Sequence, residues 1–212
     1  MTILDLTHPL APDMPVFPGA EAPDIRTVRT IAQDGWAEKW IGLSSHHGTH
    51  IDAPAHMLEG APTLDRLGAG QFVGPGWVVP IPGLPGGEIG VALLEAHAGA
   101  INASQFVLFA TGWSAHWGRK AYFTGFPVLS LEAAHWMGRR GLKGVGFDTL
   151  SADPVDAAPC IRHLALFRAG LVLVENLTGL EALIGRRFLF SCLPLSLDQA
   201  DGSPVRAVAM LD

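Results

Sequence analysis

Three of the nine histidines in the chain lie at positions 46, 47 and 50, and Asp52 and His56 follow within six residues. Neutral imidazoles together with a carboxylate are the ligands that a borderline divalent ion such as Zn²⁺ or Mn²⁺ takes. A single histidine is usually a surface or hydrogen-bonded residue, but several donors crowded together without a cation would be unfavourable. This histidine segment, residues 46–56, therefore predicts a divalent metal site.

The local sequence favours an extended chain over a helix for the histidine segment. Gly48 and Pro54 are poor helix residues, and the glutamate of the zincin helix is absent from the motif. In an extended chain, residues two apart lie on one face. The donors that would share this face are His46, His50, Asp52 and His56. We expect a strand that ends at Pro54, in which Gly48 leaves room for the ion and His47 faces the other way.

The length and composition predict one folded unit over residues 1–212. The chain has 212 residues, of which 49% are hydrophobic and 16% are charged, so it can bury a sizeable core. Glycine and proline are scattered without a repeat, which indicates many turns and no low-complexity segment. No polar linker divides the chain, and we expect a single domain.

The charge and the cysteine content argue against several classes of protein. A net charge of −6 argues against a nucleic-acid surface, which would need clustered lysines and arginines. No stretch approaches the ~18 apolar residues of a membrane helix, and no signal-peptide pattern opens the sequence. Two cysteines, Cys160 and Cys192, are too few for a disulfide framework. We therefore expect a soluble cytoplasmic protein that binds neither nucleic acid nor membrane.

The second half of the chain predicts alternating strands and helices. From about Gln105, apolar runs alternate with amphipathic stretches of helical length. The expected elements are a helix from the N-cap Ser130 to Gly141, a strand over Lys143–Asp148, a helix over Pro159–Arg168, a strand over Leu171–Glu175, a short helix with a capping box at Thr178–Glu181, and strands over Arg187–Leu193 and Pro204–Leu211. Such β-α-β alternation favours parallel strands with ligands near their carboxyl ends. Glu175 lies at such an end, where an unpaired buried carboxylate would be costly, so we expect a cation or a strong hydrogen-bond partner beside it.

The histidine segment also resembles the signature of a known family. Its pattern, His46-x-Gly48-Thr49-His50-x-Asp52-x-Pro54-x-His56, is similar to that of the cyclase family of metal-dependent hydrolases, which includes bacterial kynurenine formamidases and isatin hydrolases. Further matching segments follow in the family's order through most of the chain. They are Asp5–Leu10, Thr111–Trp113, Gly146–Thr149, Val174–Thr178 and Ser203–Ala207.

The resemblance implies two divalent metal ions, zinc in the first place and manganese as the alternative. His46, His50 and Asp52 would hold the first ion. Asp52 and Glu175 would bridge to a second ion, which His163 would complete. By periodicity alone, His163 is one more residue of a helix, and nothing local marks it as a ligand.

The resemblance also implies that His56 is the acid/base of a hydrolysis. Two cations lower the pKa of bound water towards ~7 and polarise a carbonyl, which suits cleavage of an amide or an ester. An imidazole titrates close to the working pH and could pass a proton to the leaving nitrogen. A non-catalytic metal-binding protein is the alternative from another class, and His56 argues against it because a purely structural site has no use for an extra acid/base.

The implied substrate is a small aryl amide, and the first candidate is N-formyl-L-kynurenine, cleaved to L-kynurenine and formate. In kynurenine formamidases a tryptophan of the early proline-rich loop stacks on the substrate, and Phe17 stands at that place here. Phe17 keeps an aromatic face but lacks the indole donor, so a cyclic amide or lactone, as in isatin hydrolases, is the alternative. Isatin hydrolases carry glutamine where Glu175 stands, which favours the formamidase-like arrangement with two metals.

The family resemblance implies an α/β fold of the swivelling β/β/α type with a mixed sheet. It also implies a homodimer or a homotetramer, in which a neighbouring subunit would help to close the pocket. High hydrophobicity with low charge agrees with a large buried interface.

Overall fold

The computed structural model of the protein describes residues 1–81 and 83–212. Its strands are β1 (Thr2–Asp5), β2 (Asp24–Arg29), β3 (Glu38–Gly42), β4 (His50–Asp52), β5 (Val73–Pro80), β6 (Glu88–Ile89), β7 (Phe106–Ala110), β8 (Val128–Leu129), β9 (Gly144–Phe147), β10 (Val172–Glu175), β11 (Phe188–Ser191), β12 (Gly202–Pro204) and β13 (Val208–Leu211). Its α-helices are α1 (Ile31–Asp34), α2 (Val91–Ala96), α3 (Ala98–Asn102), α4 (Leu131–Gly138) and α5 (Ile161–Arg168). Short 3₁₀ turns cover Pro54–His56, Leu64–Arg66, Ala69–Phe72, Trp113–His116, Lys120–Phe123 and Leu180–Leu183.

Within the described residues, nine strands form one mixed sheet in the order β1-β13-β11-β5-β7-β9-β10-β4-β12. The four central strands β5, β7, β9 and β10 run parallel. The outer strands pair antiparallel, and β4 lies between β10 and β12. The predicted α/β class with a mixed sheet is therefore confirmed. Because β4 runs against β10, His50 lies opposite Glu175 in the register and Asp52 lies opposite Leu173.

The central strands are buried on both faces. On β7, Phe106 and Leu108 pack into one hydrophobic cluster while Val107 and Phe109 pack into the other. This alternation follows from the two-residue period of a strand. Helices α4 and α5 cover the second cluster and pack against each other. Strands with two buried faces explain why the sequence shows continuous apolar runs here.

The ends of the helices agree with the sequence in one case and differ in another. Ser130 caps α4 as predicted, because its hydroxyl accepts a hydrogen bond from the backbone N–H of Ala133. The predicted capping box at Thr178 is wrong. The turn there begins after Gly179, whose backbone is left-handed (φ 69°), and no side chain caps it. A glycine supplies this conformation without a steric cost.

The β2–β3 hairpin forms a small sheet of its own and exposes apolar side chains. The large exposed apolar residues of the hairpin and its connection are Val28, Ile31, Trp36, Trp40 and Ile41.

Among the helices of the described residues, none is long and apolar enough to cross a membrane.

Candidate metal centre

The histidine segment is not one extended strand, so the prediction of a shared strand face is wrong. Only His50–Asp52 form a strand, His46 precedes it in a turn, and Pro54–His56 form a 3₁₀ turn. The rings still converge. The ring centroids of His46 and His50 are 5.2 Å apart, and those of His46 and His56 are 4.0 Å apart. The chain brings the donors together by reversing direction and not by alternating along a strand.

Gly48 has a different role from the predicted one. Its backbone is left-handed, with a φ of 65°. A Cβ added at Gly48 would lie 2.5 Å from Cδ2 of Leu10. The missing side chain therefore makes room for Leu10 and for the turn, and not for an ion. His47 does face away from the other histidines, since its ring bonds the backbone of Ser44 and Glu21.

The first group of donors consists of His46, His50 and Asp52, whose ligand atoms lie within 4.8 Å of one another. Oδ1 of Asp52 lies 2.7 Å from Nδ1 of His46 and 3.2 Å from Nε2 of His50. Nδ1 of His50 donates to the carbonyl of Gly48 at 2.9 Å, which leaves Nε2 to face Asp52. Two imidazoles and one carboxylate thus point at a common volume.

The second group consists of Asp52, His163 and Glu175, again with ligand atoms within 4.8 Å of one another. Nε2 of His163 lies 3.2 Å from Oε1 of Glu175. Oε2 of Glu175 lies 3.6 Å from Nε2 of His50, so the two groups touch. Helix α5 supplies His163 and the carboxyl end of β10 supplies Glu175, as expected for ligands at that edge of a parallel sheet. Asp52 belongs to both groups.

Two aspartates that the sequence did not single out support these histidines. Oδ2 of Asp153 lies 2.7 Å from Nδ1 of His163 and also accepts the backbone N–H of that residue. Oδ2 of Asp201 lies 2.9 Å from Nε2 of His46. A carboxylate on the second ring nitrogen fixes the tautomer and orientation of a ligating histidine. Neither aspartate carries a local signal, because each meets its partner only after the chain has folded.

Asn176 joins the two donor groups. Its backbone is left-handed (φ 58°), directly after Glu175. Its amide Nδ2 donates to the carbonyl of Gly48 at 2.8 Å, and its own carbonyl accepts the hydroxyl of Thr49 at 2.6 Å. Its Oδ1 accepts the hydroxyl of Tyr122 at 2.7 Å. The end of β10 is thereby tied to the turn that carries His46.

The electrostatics of the centre favour positive charge. Burial acts to lower the pKa of His46, but the hydrogen bond and the charge of Asp52 outweigh it and raise the pKa to about 9. Burial also opposes charge on His163, yet its hydrogen bonds to Asp153 and Glu175 raise the pKa of this ring to about 10. Carboxylates thus set a negative potential at the centre, which is what binding of a cation requires. The donor types fit zinc or manganese.

A cavity of about 430 Å³ opens onto the donors of both groups and onto His56. Phe17 lines it, and so do apolar residues such as Leu150 and Val155. Phe17 is 43% exposed, so part of the residue is accessible to a ligand. Among the described residues that line this cavity, none is a lysine or an arginine. The ionisable groups that line the cavity are therefore those of the candidate donors, His56 and Cys160.

Comparison with known proteins agrees with this geometry. The family model named Cyclase matches residues 4–154. The chain belongs to the Cyclase family. Kynurenine formamidase of Bacillus thuringiensis (strain Al Hakam) is 31% identical over 207 residues, which cover 97% of this chain and 95% of the relative. The resemblance inferred from the histidine motif is confirmed.

Solved structures of related proteins share the fold. Isatin hydrolase A from Labrenzia aggregata, bound to benzyl benzoate, superposes with a TM-score of 0.88 at 26% identity and covers 99% of this chain and 93% of that one. A structure described as a potential metal-dependent hydrolase with cyclase activity gives a TM-score of 0.80 at 27% identity, with 98% and 96% covered. The Cyclase match includes the whole histidine segment but ends before His163, Glu175 and Asp201. The full-length comparisons extend across that remainder.

Proposed function

We propose that this Cyclase family member is a metal-dependent hydrolase that cleaves an amide bond in a small molecule. The observation that carries the proposal is that two donor groups share Asp52 at a cavity that His56 also lines. Shared carboxylates are typical of two-metal hydrolytic sites. The relatives named kynurenine formamidase and isatin hydrolase agree with this class of reaction.

The proposed ligands divide between two ions. His46, His50 and Asp52 would hold the first, and Asp52, Glu175 and His163 would hold the second. Imidazole and carboxylate donors suit zinc, with manganese as the alternative. Divalent cations bound there would activate water and polarise the carbonyl of the amide. Asp153 would keep Nε2 of His163 turned towards the centre, because Nδ1 donates to its carboxylate.

His56 is the proposed acid/base. Burial lowers the pKa of its imidazole, so the ring is neutral at neutral pH and can accept a proton. Within residues 1–81 and 83–212, the ring forms its hydrogen bond through Nδ1, to Asp201, which leaves Nε2 for the reaction. Nε2 would take a proton from the attacking water and deliver it to the leaving nitrogen.

N-formyl-L-kynurenine is the first candidate substrate, with Phe17 packing against its aromatic ring. The absence of lysine and arginine among the described lining residues favours a second candidate, an uncharged cyclic amide like isatin. A free α-carboxylate would find no lysine or arginine among the described residues of the cavity, whereas an uncharged aryl ring would meet apolar walls. Hydrolysis of an uncharged cyclic amide should therefore be compared directly with hydrolysis of N-formyl-L-kynurenine.

The deciding experiment measures hydrolysis of N-formyl-L-kynurenine and of isatin by protein loaded with zinc or manganese, beside chelator-treated protein. A metal-dependent kcat/KM of roughly 10⁴ M⁻¹s⁻¹ or more on either compound would support the function and identify the substrate class. Absence of turnover with any aryl amide, cyclic amide or lactone, in protein that holds both ions, would refute the hydrolase and favour the non-catalytic metal-binding alternative.

We also propose that residues 1–212 form a single domain and that the chain assembles into a homodimer or a homotetramer. Pairing of β1 with β13 in one sheet supports the single domain. The exposed side chains of Trp36, Trp40 and Ile41 support a buried interface between subunits. Light scattering coupled to size exclusion measures the assembly, and a monomer at micromolar concentration would refute it. A cytoplasmic location stays a prediction, with which the two unpaired cysteines agree.

A further inference from the structure

Asp201 lies against two histidines of the centre at once. Its Oδ2 is 2.9 Å from Nε2 of His46 and 3.4 Å from Nδ1 of His56. The planes of the two rings are tilted by 39° to each other, and their centroids lie 4.0 Å apart. A single carboxylate oxygen therefore contacts the proposed acid/base and a proposed ligand from the same side.

The backbone around Asp201 is shaped for this contact. The carbonyl of Asp201 accepts the N–H of Ala53 at 2.8 Å, and Gly202 lies opposite Asp52 in the β12–β4 register. A Cβ added at Gly202 would lie 2.6 Å from Cε1 of His46, so a side chain there would displace the ring. The strand thus approaches His46 as closely as a glycine permits, and it places the carboxylate of Asp201 at the edge of both rings.

We propose that Asp201 is a positioning residue that holds His56 in the tautomer with a proton on Nδ1 and none on Nε2. This proposal rests on the proposed function, in which Nε2 of His56 takes a proton from water. An ionised carboxylate has only acceptor oxygens, so a neutral ring beside it must place its proton on the facing nitrogen. The other nitrogen is then a base directed at the cavity that His56 lines.

Asp201 contacts His46 and His56 through different ring nitrogens, so a different nitrogen stays free of this contact in each ring. Nδ1 of His46 faces Asp52 in the first donor group, while Nε2 of His56 has no hydrogen-bond partner among the described residues. Asp201 therefore leaves His46 with an acceptor nitrogen for an ion and leaves His56 with an acceptor nitrogen for a proton. When zinc saturates the site, so that His46 keeps its ion, the effect on catalysis should pass through His56 alone.

The first test reads the tautomer directly and does not depend on activity. The ¹⁵N spectrum of histidine-labelled, zinc-loaded protein should show His56 protonated at Nδ1, with His56→Ala used to assign the signal. In Asp201→Ala the His56 signals should move to the averaged positions of two exchanging tautomers. Asp201→Asn keeps an acceptor oxygen and should restore the Nδ1–H form in part. Asp198→Ala, an exposed aspartate of the same loop, is the matched control and should leave the spectrum unchanged.

The second test is a double-mutant cycle with His56. With zinc at a concentration that saturates both proteins, Asp201→Ala should lower kcat about 10- to 100-fold with KM unchanged, as expected for loss of a supporting carboxylate. In the His56→Ala background the same change should have no further effect on kcat. An equal loss in both backgrounds or an unchanged His56 tautomer would each overturn the proposal. If the loaded wild-type protein hydrolyses no amide, the proposed function fails, and the tautomer measurement still decides the role of Asp201.

Discussion

The candidate metal centre draws on two regions of the chain that are built in different ways. The histidine segment gathers its donors within eleven consecutive residues, from a turn, a short strand and a 3₁₀ turn. His163 and Glu175 come instead from a helix and from the end of the following strand, twelve residues apart. The first region depends on local reversals of the chain, such as the left-handed turn at Gly48. The second depends on the position of α5 and β10 in the parallel part of the sheet.

This difference determines how much of each region can be inferred from the spacing of its residues. In the histidine segment, the spacing alone singles out side chains that the structure brings together, although the conformation inferred from that spacing is wrong. In the second region, spacing says nothing about His163, and its place is set by β-α-β topology. The two regions meet at Asp52, whose carboxylate contributes to both donor groups. Changes at Asp52 should therefore affect both of the proposed ions, and changes at a residue of one donor group should affect only one of them.

Asp52→Ala should have the largest effect. Because both donor groups use the Asp52 carboxylate, the variant should lose both ions, and amide hydrolysis should fall to background. Elemental analysis of metal per chain, beside the exposed control Asp198→Ala, measures this. A variant with full occupancy at both positions would remove Asp52 from the shared role.

His56→Ala should have the second-largest effect, because it should lower turnover while the metal content stays unchanged. It removes the proposed acid/base without removing a proposed ligand, so kcat should fall by about 10²–10⁴-fold while both ions stay bound. Stopped-flow or steady-state hydrolysis and metal analysis on the same sample measure the two quantities. His135→Ala on the exposed face of α4 serves as the control. Metal-free His56→Ala protein would contradict the separation of roles.

His163→Gln should affect only the second region. The first donor group keeps its three residues, so the protein should bind one ion per chain in place of two. Competition with a metal-binding dye gives the stoichiometry, and Glu175→Gln should give the same result with a weaker loss, since an amide oxygen can still coordinate. Loss of both ions in His163→Gln would mean that the histidine segment cannot hold an ion by itself.

Gly48→Ala should show how strongly the histidine segment depends on its turn. The new Cβ would combine a left-handed backbone with a contact of 2.5 Å to Leu10, which should reduce the free energy of unfolding by about 1–3 kcal/mol. Gly60→Ala is the matched control, because its φ is 73° and no atom lies within 4 Å of the added Cβ. Urea titration compares them, and equal losses would assign the whole effect to the backbone.

Phe17→Ala should have the smallest effect, since Phe17 belongs to neither donor region. The residue is 43% exposed, so stability and metal content should stay at wild-type values while KM for an aryl substrate rises. Ile184→Ala, equally exposed and outside the cavity, is the control. An unchanged KM would exclude Phe17 from substrate binding.

The sequence predicted the α/β class with a mixed sheet, and it singled out histidines that the structure brings together, but it could not predict the groups that support them. The strand ending at Glu175 and the helix cap at Ser130 could be predicted because short-range sequence patterns determine them. Asp153 and Asp201 could not, because their hydrogen bonds join residues 10 and 155 positions apart. The contact of Asp201 exists only once β12 has paired with β4. The conformation of the histidine segment was predicted wrongly because the chain reverses direction at Gly48, within the residues that the spacing predicted to form one strand.

Asn176 has a consequence for the motions of the molecule. Its hydrogen bonds to Gly48 and Thr49 mean that the turn of the histidine segment cannot open while the end of β10 stays in place. The two donor regions should therefore unfold locally as one cooperative unit. Their backbone amides should then exchange with deuterium at a common rate, and Asn176→Ala should let the turn exchange faster than the strand. A residue outside both donor groups would in this way set how often the centre opens.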